Sequence, residues 1–271
     1  MFQLSSSQIE QFLAEGHIVL RGCFSRAAAQ PLVDEAWQLL GYDPADSSTW
    51  AKPLAFLFPT TSTRFSGFAP ALWSAIGELS GGLDRLAYQD TGIGQWVINF
   101  SLGRNEPWRD PKQSIKGWHV DGNFFRHFLD SPEQGLLVVP LFSDVLPRGG
   151  GTIFAADSIP VISRFLNEHP EGILPSEFPY RDLLNQCNDI RELTGEVGDC
   201  VIFHPFMLHS FGQNHQPTAR FITNSCVSLK EPMRFDQPKA ETSWVERSIL
   251  NGLGLDRLKF EIQGERERVA A

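Results

Sequence analysis

From residue 95 onward the chain is a succession of short segments rich in β-branched and aromatic residues, each cut off by glycine or proline. No other feature restricts the fold as much. Residues 95–102, 117–121, 136–142, 151–154, 199–204 and 220–229 all have this character. Many short strands in close succession predict an all-β sandwich or barrel. The first 90 residues read differently. Ser7-Gln8-Ile9-Glu10 has the form of a capping box, and Ile9, Phe12 and Leu13 follow at helical spacing up to Gly16. His17 to Arg21 is a strand candidate, and Ser25 caps a second helix that Gly41 stops. Residues 42–68 are rich in Pro, Ser and Thr and read as loop with short ordered pieces. Residues 70–86 read as helix, weakened by Gly77, Gly81 and Gly82. Residues 159–169 read as a helical insertion with irregular chain to Arg191, and Ser243-Trp244-Val245-Glu246 opens a C-terminal helix. The expectation is a mainly β protein with flanking helices around an antiparallel barrel. It forms one domain over 1–271: a helical N-terminal part (about 1–90), a β core (about 91–232) and a C-terminal helix (about 243–255).

Composition narrows the partners. A net charge of −9 argues against nucleic acid and anionic membrane, both of which select basic surface. No apolar run approaches the roughly 20 residues of a membrane helix, and the N-terminus lacks a basic and then apolar leader pattern. Cys23, Cys187, Cys200 and Cys226 are scattered, as reduced thiols of a cytoplasmic protein would be. No heptad run or long apolar edge sets the oligomeric state, so monomer and homodimer are both allowed.

His119-Val120-Asp121 is the first candidate for chemistry. On a strand, residues two apart share a face, so both side chains can reach one ion. The triplet alone is weak, since seven His in a chain of this Asp content give roughly 0.4 such triplets by chance. The second part is Gly198-Asp199 leading through an apolar strand toward His209, with His204 as a rival ligand five residues earlier. Two His and one carboxylate make the facial triad of non-heme Fe(II) oxygenases. Arg220, eleven residues after His209, adds a fixed cation that a dicarboxylate can engage. Zinc hydrolases use similar ligands, but that reading leaves Arg220 without a role and supplies no general base. His127 and His215 read as surface or rim residues.

Gly-Trp-His-x-Asp, Pro147 to Thr152 (PRGGGT), Gly-Asp-x-x-x-Phe-x-x-x-x-x-His and an Arg eleven residues on, taken in this order, resemble the phytanoyl-CoA dioxygenase (PhyH) family. The N-terminal stretch 4–22 and the helix at 243–255 resemble the ends of these proteins, so the resemblance covers nearly the whole chain. It implies a double-stranded β-helix, that is, a cupin-like jelly-roll core. It implies Fe(II) held by His119, Asp121 and His209, and 2-oxoglutarate on the iron with its far carboxylate on Arg220. Ser210 and Thr152 are helpers at that end, and Asn99 is a candidate hydrogen-bond partner of the co-substrate. His209 is preferred over His204 because it puts Arg220 at the family spacing. In related halogenases a small residue replaces the carboxylate, so Asp121 implies oxygenation and not chlorination.

The implied activity consumes O2 and 2-oxoglutarate, releases succinate and CO2, and hydroxylates, desaturates or cyclises an unactivated C–H of a small molecule. Trp118, Phe124, Phe125 and Trp96 are candidates for an apolar substrate wall, and Arg126 or Arg104 for a substrate carboxylate. No basic cluster is placed to clamp a CoA pyrophosphate, so a natural-product or amino-acid-derived intermediate is the working substrate class. The alternatives are a non-catalytic module, or a metal-dependent hydrolase or isomerase acting without O2, on the same fold.

Overall fold

The structure is a computed structural model that describes residues 2–113 and 117–269. In chain order its elements are α1 (Ser6–Glu15), β1 (His17–Leu20), α2 (Arg26–Leu40), β2 (Leu54–Leu57), α3 (Phe65–Phe68), α4 (Pro70–Ser80), β3 (Gln95–Asn99), β4 (Leu136–Pro140), β5 (Thr152–Ala155), α5 (Ser158–Asn167), α6 (Tyr180–Asn185), β6 (Ile190–Glu192), β7 (Cys200–Phe203), β8 (His209–Phe211), β9 (Arg220–Val227) and α7 (Trp244–Leu253).

The helix ends obey local chemistry. In α1 the capping box is formed by Ser5 and Gln8, two residues before the expected start at Ser7, because the Ser5 hydroxyl accepts the Gln8 amide while Gln8 reaches back. Ser25 and Ser243 cap α2 and α7 as the sequence predicts, and Ser243 closes its box with Glu246. Gly16, Gly41 and Gly254 end their helices in the left-handed conformation that favours glycine. Residues 42–68 are not all loop: they hold β2 and α3. The predicted helix over 70–86 stops at Ser80, where Gly81 takes a φ of 82°. The stretch after α5 contains α6 and β6 as well as irregular chain.

Two antiparallel sheets form. The larger has the order β1-β7-β4-β9-β3-β2, and the smaller β6-β5-β8. The expected jelly-roll does not form, and the chain is not mainly β. Neither sheet closes on itself, since β1 and β2 stand at opposite edges of the larger one, and α-helices occupy more of the chain than strands do. The expected β core over 91–232 leaves out both edge strands, which come from the first 60 residues: β1 coincides with the predicted strand at His17 to Arg21, and β2 lies in a stretch that reads as loop. Predicted segments also shrink: 95–102 pairs only over Gln95–Asn99, and 117–121 is reduced to a single bridge at His119.

Trp96, Phe142 and Phe221 pack ring against ring in the interior of the larger sheet's other face, with Trp37 of α2 beside Phe221. Each such buried aromatic is worth roughly 1.5–3 kcal/mol relative to exposure. Helix α7 packs against α1, α4 and α5. At its start Glu246 is fully buried and bonded to Arg85 at 2.6 Å. No helix among the described residues is long and apolar enough to cross a membrane.

Candidate metal centre

The site grows out of strand parity on β9. Arg220, Ile222, Asn224 and Cys226, each two residues from the next, all line one cavity of about 780 Å³. The register carries this face to the neighbouring strands. Gln95 and Val97 of β3 pair with Asn224 and Ile222, and Leu137 of β4 pairs with Cys226. All three line the same cavity. The smaller sheet contributes Thr152 of β5 and His209, Ser210 and Phe211 of β8.

His119 is brought in by backbone pairing with His209. Each donates its N–H to the other's carbonyl, at 3.0 and 2.9 Å. The imidazoles then stand 4.3 Å apart, centroid to centroid. Both rings are oriented in the same way. His119 Nδ1 donates to the Gly117 carbonyl at 2.6 Å, and His209 Nδ1 to the Met207 carbonyl at 3.0 Å. That fixes the tautomer and leaves each Nε2 as the lone-pair donor. The two Nε2 atoms face Asp121 Oδ1 at 3.3 and 3.5 Å. The ligand atoms of all three side chains lie within 4.8 Å of one another.

Asp121 is oriented in turn by a residue that sequence reasoning missed. Asn224 Nδ2 donates to Asp121 Oδ2 at 2.9 Å, which leaves Oδ1 for the imidazoles. Parity from Arg220 was the signal: position +4 on the same strand shares its face. Burial works to raise the Asp121 pKa, but the imidazoles in their protonated form, His209 by its charge and both rings by hydrogen bonds, outweigh it and hold the carboxyl well below its usual range. For His119, burial pulls the pKa down, while the Asp121 carboxylate and the Gly117 carbonyl more than offset it and raise it.

Arg220 is 2% exposed. Its Nε donates to the Gly150 carbonyl at 2.7 Å and its Nη1 to the Val97 carbonyl at 2.9 Å. Burial pushes its pKa down to about 9, so it remains a cation at neutral pH. No carboxylate among the described residues pairs with it. The Pro147 to Thr152 segment supplies its cradle. Gly150 has a φ of 77°, and a Cβ there would sit 2.6 Å from Asn99 Nδ2. A side chain at that point would run into Asn99 and Asn214, and the positive φ favours glycine.

The other candidates divide. Thr152, Ser210 and Phe124 line the cavity. Asn99 does not: its amide donates to the Gly212 carbonyl and its oxygen accepts from Leu102 N–H, so its side chain serves the turn after β3. Trp96 is core, and Trp118 is buried with its indole N–H toward the Pro111 carbonyl. Phe125 packs on His127, and Arg126 pairs with Glu267. Arg104 is held by the carbonyls of Phe100 and Gln216. These residues stand outside the cavity wall.

The rival imidazoles are accounted for by packing. His204 is fully buried, accepts from Phe206 N–H at Nδ1, and is pushed down to about 3 by burial. His127 is buried rather than on the surface, donates to the Gly122 carbonyl at 2.8 Å, and is pushed down to about 4 by burial. His215 stacks edge-on to Trp108.

His119, Asp121 and His209 are thus a 2-His-1-carboxylate group that could hold a metal ion, the donor set of non-heme Fe(II) oxygenases. The geometry agrees with the resemblance to the phytanoyl-CoA dioxygenase family. No family model matches the chain, and no curated protein matches it significantly. Among solved structures, EctD from S. alaskensis with 2-oxoglutarate and 5-hydroxyectoine is 17% identical over 82% of this chain and 76% of its own, at a TM-score of 0.47. HygX from Streptomyces hygroscopicus with nickel and 2-oxoglutarate is 14% identical over 84% and 88%, at 0.49. The epimerase SnoN with Fe3+, alpha-ketoglutarate and nogalamycin RO is 14% identical over 82% and 82%, at 0.47. At this level of likeness the functional reading rests on the site's own residues.

Proposed function

We propose that the protein is an Fe(II)- and 2-oxoglutarate-dependent oxygenase that oxidises a C–H bond of a small molecule. The observation that carries this reading is Arg220: a buried guanidinium without a carboxylate partner among the described residues, in the same cavity as the metal triad. A buried cation is costly unless an anion meets it. A dicarboxylate that reaches the ion at one end and Arg220 at the other supplies that anion, and a guanidinium can hold a carboxylate by two parallel hydrogen bonds.

When bound, ferrous iron supplies the redox chemistry by which O2 and 2-oxoglutarate are converted to succinate, CO2 and an oxidised substrate. The chain's own residues do the rest. The backbone carbonyls of Gly117 and Met207 hold the imidazole tautomers, and Asn224 holds the carboxylate. Thr152 and Ser210, which line the same cavity as Arg220, are candidate partners of the co-substrate carboxylate. The walls exclude water and fix the distance between substrate and ion. A cavity of about 780 Å³ lies within the range that small-molecule sites occupy.

The test is succinate release from 2-oxoglutarate. Release that requires both Fe(II) and O2, and is lost in His209→Ala, is expected. Turnover of any substrate supported by Zn(II) in the absence of O2 would refute the reading.

A further inference from the structure

We propose that the substrate is an uncharged, largely apolar molecule with a flat or aromatic face, gripped at the cavity mouth by Phe56 and Phe58. This inference rests on the oxygenase reading, which assigns the charged groups of the cavity to the ion and the co-substrate. Among the described lining residues, formal charge is carried by Asp121 and Arg220, with the two imidazoles beside Asp121. The wall that remains for substrate is uncharged: it is aliphatic at Val97, Leu137, Val139 and Ile222 and aromatic at Phe124 and Tyr180, punctuated by neutral amides. A charged substrate group would have to be stripped of water against these aliphatic side chains with no counter-charge to receive it.

Phe56 and Phe58 are 49% and 69% exposed, yet both line the cavity. Register places Phe56, which pairs with Val97, whose side chain already faces the cavity; Phe58, just past the end of β2, lines the same cavity. The Phe56 ring meets Phe211 edge-on at 5.7 Å, so it reaches from the larger sheet to the smaller one across the opening. Two large aromatic side chains left half in water at the rim of a deep cavity are the form of a ligand contact, because aromatic rings add shape and stacking to apolar burial. Strand β2 is an edge strand, so these rings have no further strand to cover them.

The test uses two fluorescent probes that share one aromatic body. N-phenyl-1-naphthylamine is neutral, and 8-anilino-1-naphthalenesulfonate adds a sulfonate. Both are titrated into the wild-type protein loaded anaerobically with Fe(II) and 2-oxoglutarate. The expected result is saturable binding of the neutral probe and at least ten-fold weaker binding of the sulfonate. The double variant Phe56→Ser/Phe58→Ser, checked for folding by its thermal melt, should weaken the neutral probe ten-fold or more. Phe124→Ala should weaken it as well, since Phe124 lines this cavity but not the second hollow that Phe56 and Phe58 also line, with Tyr42 and Lys52. Equal or tighter binding of the sulfonate would overturn the proposal. So would a double variant within two-fold of wild type, or no effect of Phe124→Ala. Probe binding is read without turnover. A protein that grips the neutral probe but releases no succinate therefore refutes the oxygenase reading alone. One that releases succinate but does not discriminate between the probes refutes this proposal alone.

Discussion

Replacing Asn224 by leucine removes one hydrogen bond and nothing else from the metal centre. Asn224 Nδ2 lies 2.9 Å from Asp121 Oδ2, and among the described residues it is the one side-chain hydrogen-bond partner of that oxygen. Without it the carboxylate is free to rotate about its terminal torsion, and Oδ1 is no longer held toward the two Nε2 atoms. A hydrogen bond to an ionised group is worth roughly 1.5–3 kcal/mol. Loss of a partner that orients a metal ligand costs roughly 10–100-fold in affinity, or about 1.4–2.7 kcal/mol. The two figures agree, so an increase of about 10–100-fold in the dissociation constant for Mn(II), a redox-stable stand-in for Fe(II), is expected by titration calorimetry. The thermal melt of the metal-free variant should stay near that of wild type, because leucine fills a similar volume. Metal affinity within two-fold of wild type, with the fold intact, would refute the idea that Asn224 orients the carboxylate.

Arg220→Leu should raise the 2-oxoglutarate dissociation constant by at least about 30-fold, the lower end of what truncating a buried charge pair costs, with metal affinity retained. The same variant should leave the co-substrate-free protein as stable as wild type or more so, because an uncompensated buried cation is gone; a clear loss of stability would count against it. Acid should destabilise the fold through His204, whose folded pKa of about 3 lies below the ordinary value of 6.5. The unfolded chain binds the proton first, so stability falls as pH drops from about 6.5 toward 3, by about 1.4 kcal/mol per pH unit at most for this one group. Urea unfolding across that window checks the slope, which should flatten in His204→Gln. Arg85→Ala should cost about 3 kcal/mol in urea unfolding, since it leaves the buried Glu246 carboxylate without its cation; a loss below about 1 kcal/mol would show that Ser243 and the Arg234 amide suffice.

Several helix ends and the shared face of His119 and Asp121 were legible because each is written in neighbouring residues. Ser25, Ser243 and the terminal glycines act within one turn, and His119 with Asp121 needs only strand parity. The sheet architecture was not legible. Strand β2 is four residues between Pro53 and Pro59, too short for a periodic signal, yet it supplies one edge of the larger sheet and the aromatic rim of the cavity. Strand β1 reaches β7 across some 180 residues, a pairing that Asp199 secures by accepting from Gly22 N–H and Arg21. No local pattern announces it. Of the four substrate-wall candidates, Phe124 lines the cavity and the other three do not, for a related reason. Trp96, Trp118 and Phe125 are apolar residues near the metal segment in sequence, and apolar character alone does not say which side of a strand meets core and which meets cavity. Register says so, and it selects Ile222, Val97 and Phe56 instead.

Anaerobic titration of Fe(II) and 2-oxoglutarate, followed in the visible range, tests the central claim most directly. A weak charge-transfer band should grow to saturation at one equivalent of each in the wild-type protein. It should be absent in His209→Ala, and in Arg220→Leu it should appear only at much higher 2-oxoglutarate. Failure of the wild-type protein to form the band, or its undiminished formation in His209→Ala, would contradict the assignment of this cavity to iron and 2-oxoglutarate.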